Sequence, residues 1–353
     1  MESTMTLYIG VDYHPYRQTV ARCDSENGEI EYREFLHSDK QSLKAYYAKA
    51  GSGAVIGVEA TGSLQWFERM LFDKGIELQI GDPRLIRRSA LSRHKNDFRD
   101  AETILDLLMS GRFPRIEPRS SESRSVLQML GFRQTLVGQR TSIANQMQAF
   151  ARSKGLKKFA TRAKNAKETL IGAAEDEVEM LLTESRFSVY EDLTLKIKVV
   201  EEQLEKEAAK HERVKLLQTH SGVGRLTALA VVHTLGDVRR FSTRDKVAAF
   251  VGLDPLDHSS GERRRIGKIS KHGSHLLRHL LGQAALASKD TRLRQFYSRV
   301  SRRRGHAIAK VATARKLLVN CYVMLRDNID YQEFRRRGEV GLCESSLEPE
   351  TGL

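Results

Sequence analysis

The sequence predicts an α/β layer at its N-terminal end and a mainly helical chain after it, and three observations carry that reading. Short apolar runs separated by turn residues fill the first 80 residues, stretches free of proline carry apolar residues three and four apart from Ser123 onward, and a glycine-punctuated, strongly basic segment follows. At 353 residues the chain has room for two or three compact units rather than a single core.

Leu7 to Val11, Thr19 to Cys23, Ile30 to Phe35, Ala54 to Val58 and Ile76 to Ile80 read as strands, with helices at Lys40 to Lys49 and Leu64 to Asp73. Asn27-Gly28 signals a hairpin between the second and third strands, which an entirely parallel, doubly wound sheet would not contain. Three strands, helix, strand, helix, strand is the order of an RNase-H-like layer. Pro114 and Pro118, with serines and acids behind them, end elements rather than continue them, so the first domain is expected over 1–122. Apolar stripes (Ile143, Met147, Phe150; Leu193, Ile197, Val200, Leu204) then place long helices at Ser123 to Ser153 and Phe187 to Lys210, forming an antiparallel, coiled-coil hairpin over 123–211. Gly155 to Lys167 between them fits either a basic helix tip or a loop. A mainly α domain over 212–335 and a disordered, acidic tail over 336–353 complete the expectation, and no internal repeat stands out.

A formal charge of +14 favours a polyanionic partner, because each Lys or Arg near a phosphate releases a condensed counterion. The excess is concentrated: Pro255 to Lys316 holds 16 Lys and Arg against three acids, Asp257, Glu262 and Asp290. Solvated helix faces are the plain alternative; nucleic acid is the better fit to so one-sided a segment. No stretch approaches the roughly 18 uninterrupted apolar residues of a membrane helix. Met1 to Leu7 lacks the anatomy of a secretory signal, so a cytoplasmic, nucleoid-associated protein is expected. Cys23, Cys321 and Cys343 lack zinc or disulfide spacing and read as reduced thiols.

Asp12 ends the first strand in Ile9-Gly10-Val11-Asp12, and Glu59 ends the fourth in Val55-Ile56-Gly57-Val58-Glu59. A carboxylate there is held by the sheet while facing an open crevice. Asp97 and Asp100, three apart at a helix start, share one face and are also good capping residues. Together the four carboxylates suit two hard cations such as Mg2+, with Mn2+ an alternative, about 4 Å apart around an in-line phosphoryl displacement.

Further along, Ser221-Gly222-Val223-Gly224 lies between helical runs Val214 to Thr219 and Leu226 to Leu235, a helix-hairpin-helix pattern. The amides around Gly222 and Gly224 suit a DNA phosphate, although a plain turn has the same composition. Phe250 to Pro255 leads into His258-Ser259-Ser260-Gly261, then Ile266 to Gly273 and a helix from Ser274 to Leu286. A serine attacking a phosphodiester needs its developing charge compensated, for which Arg263, Arg264, Arg265, Lys268 and Lys271 are candidates.

Ile9-Gly10-Val11-Asp12, Val58-Glu59-Ala60-Thr61-Gly62 and Lys95-Asn96-Asp97-Phe98-Arg99-Asp100-Ala101 resemble the RuvC-like domain of the DEDD transposases of the IS-one-ten group. Asp12, Glu59, Asp97 and Asp100 match its four acids; Asn96 stands where the pattern has threonine. The stretch around Ser260 resembles that family's second domain, whose nucleophilic serine maps onto Ser260, with Ser259 one residue out of register. The resemblance spans about 6–330. It implies cleavage of donor and target DNA through a covalent phosphoserine, strand exchange, guidance by a bridge RNA, and a homodimer or homotetramer. Two rival readings remain: a junction nuclease using only the acids and water, and a non-enzymatic nucleic-acid-binding protein whose acids cap helices.

Overall fold

A computed structural model describes residues 6–25, 28–89, 96–157, 160, 161, 163, 165–257 and 266–344. The chain divides into two compact units, one ending at Pro118 and the other beginning at Arg119.

The first unit runs β1 (Leu7–Tyr13), β2 (Arg17–Asp24), β3 (Ile30–Leu36), α1 (Lys40–Ala50), β4 (Val55–Glu59), α2 (Gln65–Phe72), β5 (Glu77–Gly81), α3 (Pro83–Ser89), α4 (Asp97–Met109) and β6 (Arg115–Ile116). Its sheet has the order β3-β2-β1-β4-β5-β6. The first three strands pair antiparallel, while β4 and β5 continue parallel to β1, a mixed sheet compatible with an RNase-H-like layer. Gly28, at φ 68°, donates its amide to the Asp24 carbonyl, as a tight connection between β2 and β3 requires. The two-residue β6, antiparallel to β5, has no counterpart in the sequence reading.

Alternation along β1 and β4 assigns the two faces. Ile9, Val11, Ile56 and Val58 are fully buried, packed with Leu43 and Tyr47 of α1 and Phe67 of α2. Gly10 and Gly57 point to the other face, against α4. A Cβ on Gly10 would lie 2.2 Å from the Ala101 carbonyl oxygen and 2.5 Å from the Leu105 amide nitrogen, so only glycine lets the α4 backbone settle there. A Cβ on Gly57 would lie 2.7 Å from a methyl of Leu108. The register pairs Ile9 with Ile56, Gly10 with Gly57 and Val11 with Val58. The two Ile-Gly-Val-acid runs are thus aligned residue for residue across adjacent parallel strands, an alignment set by the strand pairing.

The second unit contains α5 (Ser121–Ser153), α6 (Ala166–Ile171), α7 (Glu177–Lys210), α8 (Glu212–Gln218), α9 (Arg225–Leu235), α10 (Arg244–Val251), β7 (Pro255–Asp257), β8 (Ile266–Ile269), α11 (His275–Ala287), α12 (Thr291–Arg304), α13 (His306–Asp327) and α14 (Tyr331–Glu344). α5 and α7 pack antiparallel: Leu136 meets Leu193 and Ile197, Met147 meets Phe187 and Tyr190, and Arg133 holds Glu201 at 2.5 Å. α7 begins ten residues before the expected Phe187, because the Asp176 carboxylate accepts the Glu179 amide at 2.7 Å and caps it there. Between the long helices, the stretch expected as tip or loop gives way to the short α6. Helices α8 to α13 close around Leu229, Leu281, Leu317 and Cys321. Residues 336–344, expected to belong to a disordered tail, are helical in α14. Among the described residues no helix is long and apolar enough to cross a membrane.

Candidate active site

Asp12 and Glu59 sit at the carboxyl ends of β1 and β4, each one residue beyond the paired Val11 and Val58 and both on the α4 face. Neighbouring strands lie about 4.8 Å apart, so the sheet sets these two acids at matching positions on adjacent strands. The glycine seat brings the first turn of α4 alongside. The Asn96 side chain caps that helix, accepting the Phe98 amide at 3.2 Å. The capping role that the sequence allowed for Asp97 and Asp100 therefore falls to Asn96.

Burial raises the Asp12 pKa to about 6; His14 opposes the shift, and the Asp100 and Asp97 carboxylates add to it. His14 Nε2 stands 3.0 Å from Asp12 Oδ2 and 3.5 Å from Asp97 Oδ2. Neither His14 Nε2 nor the buried Asp12 Oδ2 has an aligned hydrogen-bond partner. Arg17 Nη2 reaches Asp97 Oδ2 at 2.7 Å, and Arg87 Nη2 of α3 reaches Glu59 Oε1 at 3.0 Å. Asp12, His14 and Asp97 offer ligand atoms within 4.8 Å of one another; Glu59 and Asp100 lie outside that tight group. A buried carboxylate oxygen whose close basic neighbour is His14 Nε2 at 3.0 Å, crowded by other carboxylates, fits a divalent cation, and oxygen donors suit a hard one. His14, Arg17 and Arg87 were not foreseen. Strand alternation, which puts His14 on the same face as Asp12, was the available signal for the first; the arginines gave none.

In the second unit, residues 258–265 lie outside the described residues, and with them Ser259, Ser260, Arg263, Arg264 and Arg265. What frames that segment is the antiparallel pair β7 and β8, not foreseen in the sequence, with Pro255 opposite Ile269. The chain crosses itself tightly at the base of this pair. A Cβ on Gly252 would lie 2.0 Å from the His272 carbonyl oxygen and one on Gly273 2.1 Å from that of Phe250. Arg278 Nη1 donates to the Val251 and His272 carbonyls at 2.8 and 2.6 Å, and the Ser270 hydroxyl donates to the Asp254 carboxylate. Lys268 and Lys271 are exposed there, the latter at φ 55°.

The turn between α8 and α9 treats its two glycines differently. Gly222 is buried, with its amide donated to His220 Nδ1 at 3.1 Å and its Cα against Ser288; a Cβ would lie 2.6 Å from the Ser288 Oγ. Its amide is engaged inside the fold, which corrects the expectation that both glycines face a phosphate. Gly224 is exposed at the start of α9. Beneath the turn, Asp290 accepts the Tyr331 hydroxyl and lies 3.9 Å from His220 Nε2, whose pKa burial lowers to about 4, the Asp290 charge opposing that shift.

Carboxylates gathered on one face of a mixed sheet and on the helix packed against it define a class of site, an acidic cluster with the donor atoms a hard cation takes. Comparison with known proteins gives the family. A profile of the DEDD IS110 transposase type matches residues 9–174, and one described as Transposase IS116/IS110/IS902 family matches 214–299. The chain is 29% identical to the transposase for insertion sequence element IS1111A of Coxiella burnetii, over 82% of this chain and 83% of that one. It is 29% identical to a probable family 20 transposase of Pseudomonas aeruginosa, over 74% and 81%, and 26% identical to the transposase for insertion sequence element IS1328 of Yersinia enterocolitica, over 65% and 70%. The chain belongs to the IS116/IS110/IS902 family of transposases, with its DEDD-type and family-20 regions in order along one sequence.

Proposed function

We propose that this transposase cuts and rejoins DNA by transesterification, with Asp12, Glu59, Asp97 and Asp100 holding divalent cations and Ser260 as nucleophile. The observation that carries the reading is the packing of the α4 acids near Asp12, a carboxyl whose pKa is raised to about 6 by burial and by that crowding of carboxylate charge. When bound, Mg2+ or Mn2+, in one or two sites, would supply positive charge for the attacking and leaving oxygens of an in-line displacement.

Ser260 Oγ attacks a backbone phosphorus; the Oγ–P bond forms, the P–O bond to the neighbouring sugar breaks, and the departing strand end leaves as a hydroxyl. The proton lost from Oγ goes to a nearby base. A hydroxyl from a second strand then attacks the phosphoserine and restores the free serine, so that one backbone is exchanged for another without net hydrolysis. Arg263, Arg264, Arg265, Lys268 and Lys271 neutralise charge on the reacting phosphate. Exposed Gly224 and the first amides of α9 meet a backbone phosphate in the manner of a helix-hairpin-helix, while buried Gly222 shapes the turn. The long antiparallel helices act as a coiled coil joining two or four copies, and a structured bridge RNA selects donor and target. A modest 7% of aromatic residues fits guidance by base pairing better than readout by stacking on protein.

The test is denaturing electrophoresis of the protein incubated with labelled donor and target DNA, Mg2+ and co-purifying RNA. A covalent protein–DNA band lost in Ser260→Ala and kept in Ser259→Ala is expected. Cleavage without any covalent band would replace this reading with that of a metal-dependent nuclease using water.

A further inference from the structure

We propose that the solvent face of α12 is a binding surface for double-stranded DNA, with Arg294, Arg299, Arg302 and Arg303 set on its phosphates. The inference rests on DNA being the substrate and adds a surface that neither the serine region nor the α8–α9 turn accounts for.

α12 is sharply two-faced. Leu293 and Val300 are buried against the core, and half-buried Phe296 lies beneath the Lys316 ammonium, 4.8 Å from its ring centre. The opposite face exposes the four arginines along one open groove, with Thr291, Gln295 and Ser298 between them. These positions advance by alternate steps of three and one, which keeps them on one side of a helix. No carboxylate interrupts them.

Elsewhere in the unit several exposed arginines are held by acids, Arg239 by Asp237 at 2.9 Å, Arg326 by Asp327 at 2.7 Å, and Arg336 and Arg337 by Glu333 at 2.6 and 2.9 Å, while single exposed arginines such as Arg152 and Arg244 stand apart from any row. Among the described residues, none of the four α12 arginines forms an ion pair. Like charges one turn apart destabilise an isolated helix by a few tenths of a kcal/mol per pair. The helix dipole favours Arg302 and Arg303 in the last turn, but not Arg294 near the start or Arg299 in the middle. Among the described residues the face therefore stands as a row of like charges without a carboxylate to balance it, the charge pattern that a polyanion complements.

The helix is also fixed in place. The Asp290 carboxylate accepts the Arg292 and Leu293 amides at 2.7 and 3.3 Å and is itself held by the Tyr331 hydroxyl. Arg294 to Arg303 spans about 13 Å along the helix axis, close to the length of four phosphates on one strand at about 3.4 Å each. An α-helix, about 10 to 12 Å across, enters the roughly 12 Å major groove of B-form DNA, whereas the narrow major groove of an A-form RNA duplex excludes it. Thr291, Gln295 and Ser298 add neutral donors that suit phosphate oxygens.

The experiment compares full-length wild type with the R294Q/R299Q/R302Q/R303Q variant by fluorescence anisotropy in EDTA. The probes are a labelled DNA duplex of about 30 base pairs and arbitrary sequence and an RNA duplex of equal length, from about 50 to 200 mM salt. All four side chains are exposed, so the variant should melt as wild type does. Over that range wild type should lose on the order of 100-fold more affinity for DNA than the variant, because each neutralised phosphate contributes about 0.9 to the salt slope. Single substitutions should each remove about one such step. Equal slopes in wild type and variant would overturn the proposal, as would a loss confined to the RNA duplex. Wild type that binds no DNA at any salt would instead overturn the proposed function, and this surface with it.

Discussion

The unit ending at Pro118 surrounds its site carboxylates with basic groups, whereas in the unit beginning at Arg119 Arg294, Arg299, Arg302 and Arg303 of α12 form no ion pair among the described residues. His14 stands against Asp12, Arg17 against Asp97 and Arg87 against Glu59. Internal pairing of that kind keeps a crowded acidic cluster together in the free protein and is displaceable by a stronger cation, while an unpaired row is complete only with a partner. The Arg17 and Arg87 pairs are largely exposed, where single ion pairs contribute about 0 to 1 kcal/mol, so the difference between the two arrangements concerns binding more than stability.

The contrast breaks most sharply if the carboxylates are dispensable. Asp12→Ala or Asp100→Ala should lower single-turnover strand cleavage at least about 1000-fold, since a cation site contributes several kcal/mol to the barrier. DNA affinity by anisotropy should stay within about twofold, because phosphate contacts lie on other side chains. Retained cleavage in both variants would remove the metal-site reading.

The next effect sharpens it by geometry. Gly10→Ala forces a methyl onto the α4 backbone and should cost about 3 kcal/mol in urea unfolding, with cleavage down about 100-fold as Asp97 and Asp100 retreat. Gly57→Ala meets only the flexible end of Leu108 and should cost about 1 kcal/mol. Finding Gly57 the more sensitive of the two would show that α4 is not seated through Gly10.

In the helical unit, Asp290→Ala leaves the Tyr331 hydroxyl and two amides of α12 without their acceptor. It should cost about 2 to 3 kcal/mol by the same measurement. A cost within about 0.5 kcal/mol of zero, the range of an ordinary surface change, would mean that Asp290 does not hold α12 in place.

The last effect concerns pH and appears only in acid. Unfolded His220 binds a proton near its ordinary pKa of 6.5, whereas the buried side chain takes one up only near pH 4. The unfolded chain therefore holds more protons in that window, and stability falls as pH drops through it, by at most about 1.4 kcal/mol per pH unit. The difference in unfolding free energy between wild type and His220→Gln should follow this course and level off above about pH 6.5. A difference independent of pH would show that His220 is not kept neutral by its burial.

Much of the first unit was legible because period-two apolar runs bounded by turn residues are a strong local signal. The five strands stand where the pattern put them, and Asp12 and Glu59 mark strand ends in sequence as in space. Elements with little local signal escaped: two-residue β6, the β7–β8 pair, the first ten residues of α7 and the helical stretch after residue 336. Among site residues, Arg17 and Arg87 were invisible because a salt bridge across 80 or 28 residues leaves no spacing to read.

By itself, then, the sequence determined the strand and helix runs, the acids that end β1 and β4 or open α4, and the basic excess of the later chain, since each depends on local periodicity or composition. Tertiary structure decided which of these meet. Parallel register set the two Ile-Gly-Val-acid runs side by side, and Gly10 admitted the α4 backbone. Folding also turned Gly222 inward while leaving Gly224 exposed. It separated the arginines that find acids from those that do not. Those outcomes rest on close packing between distant segments, where a gap of one methyl group determines whether two backbones can touch.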